Sequence, residues 1–210
     1  MTPTGVTTAG LEWGVASRAL PGQTATGDLH VVQSVDGGVL VGVVDALGHG
    51  EDAEATARIA VETLCRHAGE PIPALIERCH RTLIGTRGIV VSVAFFDAVQ
   101  RTMTWLGVGD VEGVLVLADP SSVPSRTGLA SRGGIVGANL PPARPWVIPV
   151  STGDTLIFTT DGIRGESTIG PVLHGTAQQI ADLILSRGFK GTDDGLVLVA
   201  RFRDEAVNPR

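Results

Sequence analysis

The run Ile89–Phe96 is apolar on both faces of an extended strand, so whatever it builds must be covered on two sides. Val39-Leu40-Val41-Gly42-Val43-Val44 is a further apolar run. A sheet made of such strands needs a second sheet against it, and helices must cover the outer faces. The 210-residue chain supplies those parts, and with 43% hydrophobic residues it can bury a sizeable core.

Leu11–Ala19, Asp28–Ser34 and Gly38–Asp45 read as strands, the last two joined by a hairpin turn at Asp36-Gly37-Gly38. From Glu51 the period becomes helical. Ala53, Ala57, Ala60, Val61, Leu64, Cys65 and Ala68 share one face, and Glu51, Asp52 and Glu54 occupy the first turn, where the helix dipole favours acids. Pro71 and Pro73 open a second helix whose stripe is Ile72, Leu75, Ile76, Cys79 and Leu83. Gly88–Asp97, Arg101–Val108 and Glu112–Ala118 are short, β-branched and separated by tight turns, which predicts an antiparallel meander. Asp119–Arg144, rich in Pro, Ser and Gly, predicts loops around one or two short strands. Pro145–Val150 and Asp154–Thr160 resume the strand pattern. Thr176–Arg187 predicts a helix with Ile180, Leu183 and Ile184 on one side, and Leu196–Phe202 is the final strand. The expected fold is α+β, with two mainly antiparallel sheets packed face to face and helices outside.

Several aspartates stand at the ends of these runs. Asp45 closes Val39–Val44, Asp161 closes Leu156–Thr160, Asp193 and Asp194 precede Leu196–Val199, and Asp28 precedes His30-Val31-Val32. Carboxylates converging from strand ends repel one another unless a cation lies between them. Oxygen-only ligand sets suit Mg²⁺ or Mn²⁺. A metal-dependent hydrolase is the expected class. Each residue also has a plainer role: Asp45 as a cap of the following helix, Asp161 and Asp28 as turn residues, and one of Asp193 and Asp194 as a turn or cap beside the other as ligand.

The net charge of −6, without a Lys/Arg block, argues against a nucleic-acid or anionic-membrane surface. Aromatics are only 4% and Tyr is absent, so a base-stacking platform is not expected. No apolar run is long enough to span a bilayer, and Met1–Gly5 lacks the regions of a signal peptide, so a cytoplasmic protein is expected. Cys65 and Cys79 fall in helical patterns and read as reduced, buried thiols. Neither heads a Gly-rich turn ending in Arg, and there is no Walker lysine motif.

Gly27-Asp28, Asp45-Ala46-Leu47-Gly48-His49-Gly50 before a helix, Thr160-Asp161-Gly162, and Asp193-Asp194 before a strand resemble, in that order, the PPM (type-2C) serine/threonine phosphatases. The resemblance runs from about Leu11 to Phe202 and is nearest to the bacterial sporulation and stress-response branch. Ile76-Glu77-Arg78-Cys79, Thr86-Arg87-Gly88 and Gly107-Val108-Gly109-Asp110 are similar to its stand-alone stressosome feedback phosphatases. The resemblance implies a single phosphatase domain over 1–210 and a four-layer α-β-β-α sandwich with two Mn²⁺ or Mg²⁺ ions in a cleft at one edge of the sheets. It implies that Asp45 bridges the ions, that the Ala46 carbonyl and Asp28 (directly or through water) serve one, and that Asp161 and Asp193 hold the other. The family usually has Gly where this chain has Ala46, which matters if the position requires φ > 0. The implied substrates are phosphorylated STAS-domain proteins of the stressosome type.

Two divalent ions about 3.5–4 Å apart can activate a shared water and offset phosphoryl charge during in-line attack. His49, four residues past Asp45, is expected to be solvated or capping, and Asp110 to be a turn residue with a peripheral role at most. No phosphate-gripping arginine is evident: Arg18, at the end of the first strand, is a candidate for which a solvated role is the simpler reading, and Arg87 reads as a salt-bridge residue. Two alternatives stand beside the phosphoprotein phosphatase. One is a catalytically weak phosphoprotein-binding module, motivated by Ala46. The other is a hydrolase of small phosphoesters.

Overall fold

The computed structural model describes residues 6–8, 10–119, 121–165 and 174–203. Eleven strands and three helices follow in the order β1 (Val6–Thr8), β2 (Leu11–Arg18), β3 (Asp28–Val35), β4 (Gly38–Ala46), α1 (Glu51–Arg66), α2 (Ile72–Leu83), β5 (Ile89–Asp97), β6 (Thr102–Val108), β7 (Glu112–Val116), β8 (Arg126–Leu129), β9 (Trp146–Pro149), β10 (Thr155–Thr159), α3 (Ala177–Gly188) and β11 (Gly195–Phe202). They form a six-stranded sheet, β1-β2-β11-β10-β7-β8, and a five-stranded sheet, β3-β4-β5-β6-β9. Every pairing between these strands is antiparallel. The four-layer α-β-β-α arrangement is the expected one.

Strand periodicity sorts the side chains into three buried layers. On β4, Leu40, Val44 and Ala46 pack under α1 and α2, against Ala53, Ala57, Leu64, Leu75 and Ile76. The alternate residues Val39, Val41 and Val43 face the other sheet and meet Leu156, Phe158, Leu196 and Leu198. The outer face of the six-stranded sheet carries Val114, Ile157, Val197 and Val199, which α3 covers with Ala177, Ile180, Ala181 and Ile184. All five stripe residues of α2 are buried.

The helix ends are held differently. α1 starts at Gly50 without a side-chain cap and relies on Glu51, Asp52 and Glu54 in its first turn. α3 has a capping box, in which the Thr176 side chain accepts from the Gln179 amide and the Gln179 side chain accepts from the Thr176 amide.

Two expectations need correction. β5, β6 and β7 do not form one meander: β5 pairs with β6, but β7 crosses to the other sheet and pairs with β10 and β8. At the end of β6 the ladder positions are taken by Arg132, whose amide donates to the Gly107 carbonyl and whose carbonyl accepts from the Gly109 amide. Gly109, at φ +93°, turns the chain out of the sheet. Leu183 was expected beside Ile180 and Ile184, but it is 45% exposed. Ala177 and Ala181 complete the buried face instead. β1 had no counterpart in the sequence reading.

This difference within α3 is measurable. Ile184→Ala should cost about 2–5 kcal/mol in chemical denaturation, whereas Leu183→Ala should stay within about 0.5 kcal/mol of the wild type. Equal costs would mean that α3 docks in a rotated register.

Candidate metal centre

The inward row of β4 runs Val39, Val41, Val43 and then Asp45, so the row that fills the inter-sheet layer ends in a carboxylate. Asp28 lies directly opposite Asp45 across the β3–β4 ladder. Like charges in register across a ladder destabilise it. Asp28 is buried, 2% exposed, and Asp45 is half-buried. Burial is the largest influence on both, and it pushes both carboxyls up. For Asp28 a hydrogen bond from Thr160 works the other way, while the charges of Asp194, Asp161 and Asp193 add to the rise, to about 7. For Asp45 the charges of Asp28, Asp161, Asp110 and Asp193 add to burial, to about 9. Asp161 is also raised, by burial and then by Asp193 and Asp110, with Lys190 and the Gly162 amide opposing. Asp28, Asp45, Asp110, Asp161 and Asp193 therefore lie within one another's field.

The surrounding contacts divide the acids by role. The Leu196 amide donates to Thr160 Oγ1 at 2.9 Å, and the Thr160 hydroxyl donates to Asp28 Oδ2 at 2.7 Å. This relay ties the six-stranded sheet to the carboxylate of the five-stranded one. Asp194 is occupied by backbone: Oδ1 accepts from the Leu20 amide at 2.7 Å and Oδ2 from the Gly27 amide at 2.8 Å. It fixes the loop that delivers Asp28. Asp193 accepts from the Asp194 amide through Oδ1 at 2.8 Å. Of the two neighbours, Asp194 is the structural acid, which leaves Asp193 as the candidate ligand. Gly162 lets the Asp161 turn approach this segment, since a Cβ there would lie 1.7 Å from the Asp194 carbonyl oxygen.

Ala46 is a regular residue of β4, paired with Ile89. Among the described residues Arg101 is the only non-glycine with positive φ, so Ala46 needs no left-handed backbone. That geometry falls instead to Gly48 and Gly50, at φ +83° and +80°. His49 is exposed on the loop between them. Arg87 donates to the Leu47 carbonyl at 2.8 Å and pairs with Asp52 at 3.2 Å, so it staples this loop to the start of α1. The Arg18 guanidinium lies 5.1 Å over the Phe189 ring.

Among the described residues, no three acidic, histidine or cysteine side chains close on a common point. Asp28, Asp45, Asp161 and Asp193 are neighbours through their charges without closing on one point. Their chemistry fits hard divalent cations: oxygen donors, anionic, and penalised by each other when ionised. Sequence reasoning did not single out Thr160, and it foresaw a turn or cap role for one of Asp193 and Asp194 without the long-range amide partners that Asp194 takes. The signal for Thr160 was present, because it continues the inward row Leu156, Phe158 of β10.

At low pH the raised carboxyls are protonated in the folded and unfolded chain alike and cost nothing. As the pH rises from about 4 through the raised values, the unfolded chain releases these protons first, so the metal-free fold loses stability. Asp45→Asn should therefore leave the metal-free protein as stable as the wild type or more so near pH 8, with a flatter fall in thermal stability between about pH 5 and pH 9. A variant much less stable at every pH would make Asp45 a structural cap.

Over residues 35–203 the sequence matches the family described as stage II sporulation protein E, SpoIIE. It is 28% identical over 94 residues to the phosphoserine phosphatase RsbX of Bacillus subtilis (strain 168), an alignment covering 45% of this chain and 47% of that protein. The chain thus matches about half the length of this curated relative. A chain solved in work on the bacterial stressosome, as a modular system adapted to control secondary messenger signalling, aligns with a TM-score of 0.82 at 28% identity, over 91% of this chain and 99% of that one. RsbX in complex with magnesium aligns with a TM-score of 0.83 at 20% identity, over 94% and 98%. With its β4-to-β11 span inside the family match and the sandwich of RsbX reproduced, the chain belongs to the SpoIIE family.

Proposed function

We propose that the protein is a Mn²⁺- or Mg²⁺-dependent serine/threonine phosphoprotein phosphatase, a single domain over residues 1–210 acting in the cytoplasm. Its substrates in this reading are phosphorylated STAS-domain proteins of the stressosome type, and their dephosphorylation resets stress signalling. The observation that carries the reading is the facing pair of buried Asp28 and half-buried Asp45, held in register across β3 and β4 with Asp161 and Asp193 in its field. A fold with no use for cations gains nothing from burying two facing carboxylates.

Asp28, Asp45, Asp161, Asp193 and the Ala46 carbonyl would hold the two ions. Bound there, the ions supply an activated water and offset the phosphoryl charge. The chain's own contribution is orientation. Thr160 aims the Asp28 carboxylate, Asp194 fixes the backbone on which Asp28 rides, and Gly162 allows the Asp161 and Asp193 turns to come together. An open groove of about 660 Å³, lined by Gly109, Asp110, Glu112, Gly128 and Ser131 among others, adjoins the cluster at Asp110. The binding-module alternative loses its motive, because Ala46 sits without strain.

Mn²⁺-dependent phosphate release from a phosphorylated STAS-domain protein tests this reading. Release by the wild type should fall by about 100-fold or more in Asp161→Asn, since loss of even an outer partner of a metal ligand costs 10–100-fold. Activity retained in the variant would displace the metal centre from Asp161. A folded wild type that binds Mn²⁺ yet releases nothing would return the weight to a binding module.

A further inference from the structure

Lys190 is the only lysine in the chain, and the fold brings it to the rim of the acidic cluster. Its Nζ donates to the Asp161 carbonyl, and its charge reaches the Asp161 carboxylate. The stem is fixed. The Lys190 amide donates to the Gly162 carbonyl at 2.9 Å, and the Arg164 amide donates to the Gly188 carbonyl at 2.8 Å. Ile163 bridges Phe189 between these bonds. Phe189 in turn packs against Gly195, just past Asp193 and Asp194, because a Cβ at Gly195 would meet its ring at 2.8 Å. The short ladder following α3 thus anchors the ammonium beside two of the candidate ligands. The side chain remains exposed. An ammonium has three donors, and the Asp161 carbonyl takes one.

Arg87 is committed to Leu47 and Asp52. Arg18 lies over Phe189, one residue from Lys190. We propose that Lys190 is the phosphoryl-positioning cation of this site, its ammonium binding phosphoryl oxygen atoms beside the Asp161 turn. The inference rests on the phosphatase reading and adds to it the group that orients the substrate. A lysine suits the task as a compact, mobile point charge for phosphate. A lysine that served only as a strut for Asp161 would hold the turn and ignore phosphate.

Because the chain has one lysine, incorporating ¹³C,¹⁵N-lysine marks Lys190 alone, and it leaves the positive charge and all three donors in place. In the Mn²⁺-free, Mg²⁺-loaded protein, the Lys190 Cε and Nζ resonances should shift saturably as inorganic phosphate is added. In parallel, inhibition by inorganic phosphate should weaken about tenfold or more in Lys190→Gln and return to within about twofold of wild type in Lys190→Arg, as loss of a charge-assisted hydrogen bond implies. A resonance that does not respond to phosphate, or phosphate inhibition unchanged in Lys190→Gln, overturns the proposal. Weaker Mg²⁺ binding in Lys190→Gln with unchanged phosphate inhibition likewise overturns it and makes Lys190 a strut. Those outcomes leave the phosphatase reading intact as long as the wild type still releases phosphate. Absence of metal-dependent release from the wild type overturns both.

Discussion

The dry layer between the two sheets is the constraint on which the rest depends. Val39, Val41 and Val43 of one sheet meet Leu156, Phe158, Leu196 and Leu198 of the other. Three inward rows end at the same edge of that layer. The β4 row ends in Asp45, the β10 row in Thr160, and the β11 row, read backwards, in Asp194. Polar groups begin where the apolar rows stop, and they meet because the sheets are pressed together. A one-residue slip of β4 would send Asp45 under the helices and bring Ala46 inward, so apolar packing sets the register of the candidate site.

The same edge shows how a fold can carry several carboxylates at one place. Asp194 keeps its charge satisfied with two backbone amides. Asp28 has the Thr160 hydroxyl and the facing Asp45, and proton uptake relieves that pair when no cation does. Elsewhere a buried acid is treated differently. Glu12 is pushed up by burial, but the Ala177 amide, Arg203 and Arg201 outweigh that and leave it below its ordinary range. The contrast is in the partners: Glu12 faces cations, and Asp28 and Asp45 face more carboxylates.

Much of this was legible in the sequence where the pattern is local. The α2 stripe, the β3–β4 hairpin and the aspartates closing apolar runs follow from period and turn chemistry over a few residues. What was not legible depends on contacts far apart in the chain. The β6–β7 turn reads like any hairpin, and only the Arg132 bridge to Gly107 and Gly109 shows why β7 leaves the sheet. Leu183 fits the helical stripe as well as Ile184 does, and the docking angle of α3 decides between them. The resemblance favoured Asp193 over Asp194 as a ligand, but the amides that Asp194 accepts from, at Leu20 and Gly27, lie well over a hundred residues away. Lys190 carried no local motif, since its meaning comes from the ladder that sets it against Asp161.

The position of β11 also orders assembly in time. β11 lies between β2 and β10, and it is the latest-made strand of the six-stranded sheet. The five-stranded sheet uses nothing beyond Pro149, so it can pair while later residues are still on the ribosome. The six-stranded sheet cannot join β2 to β10 until residues 195–202 have been made. In the nascent chain the Asp28–Asp45 ladder can therefore form before Asp194 secures the Gly27 loop and before the Leu196 amide engages Thr160. The two halves of the acidic cluster are synthesised far apart in time, and they are brought together only when β11 inserts between β2 and β10.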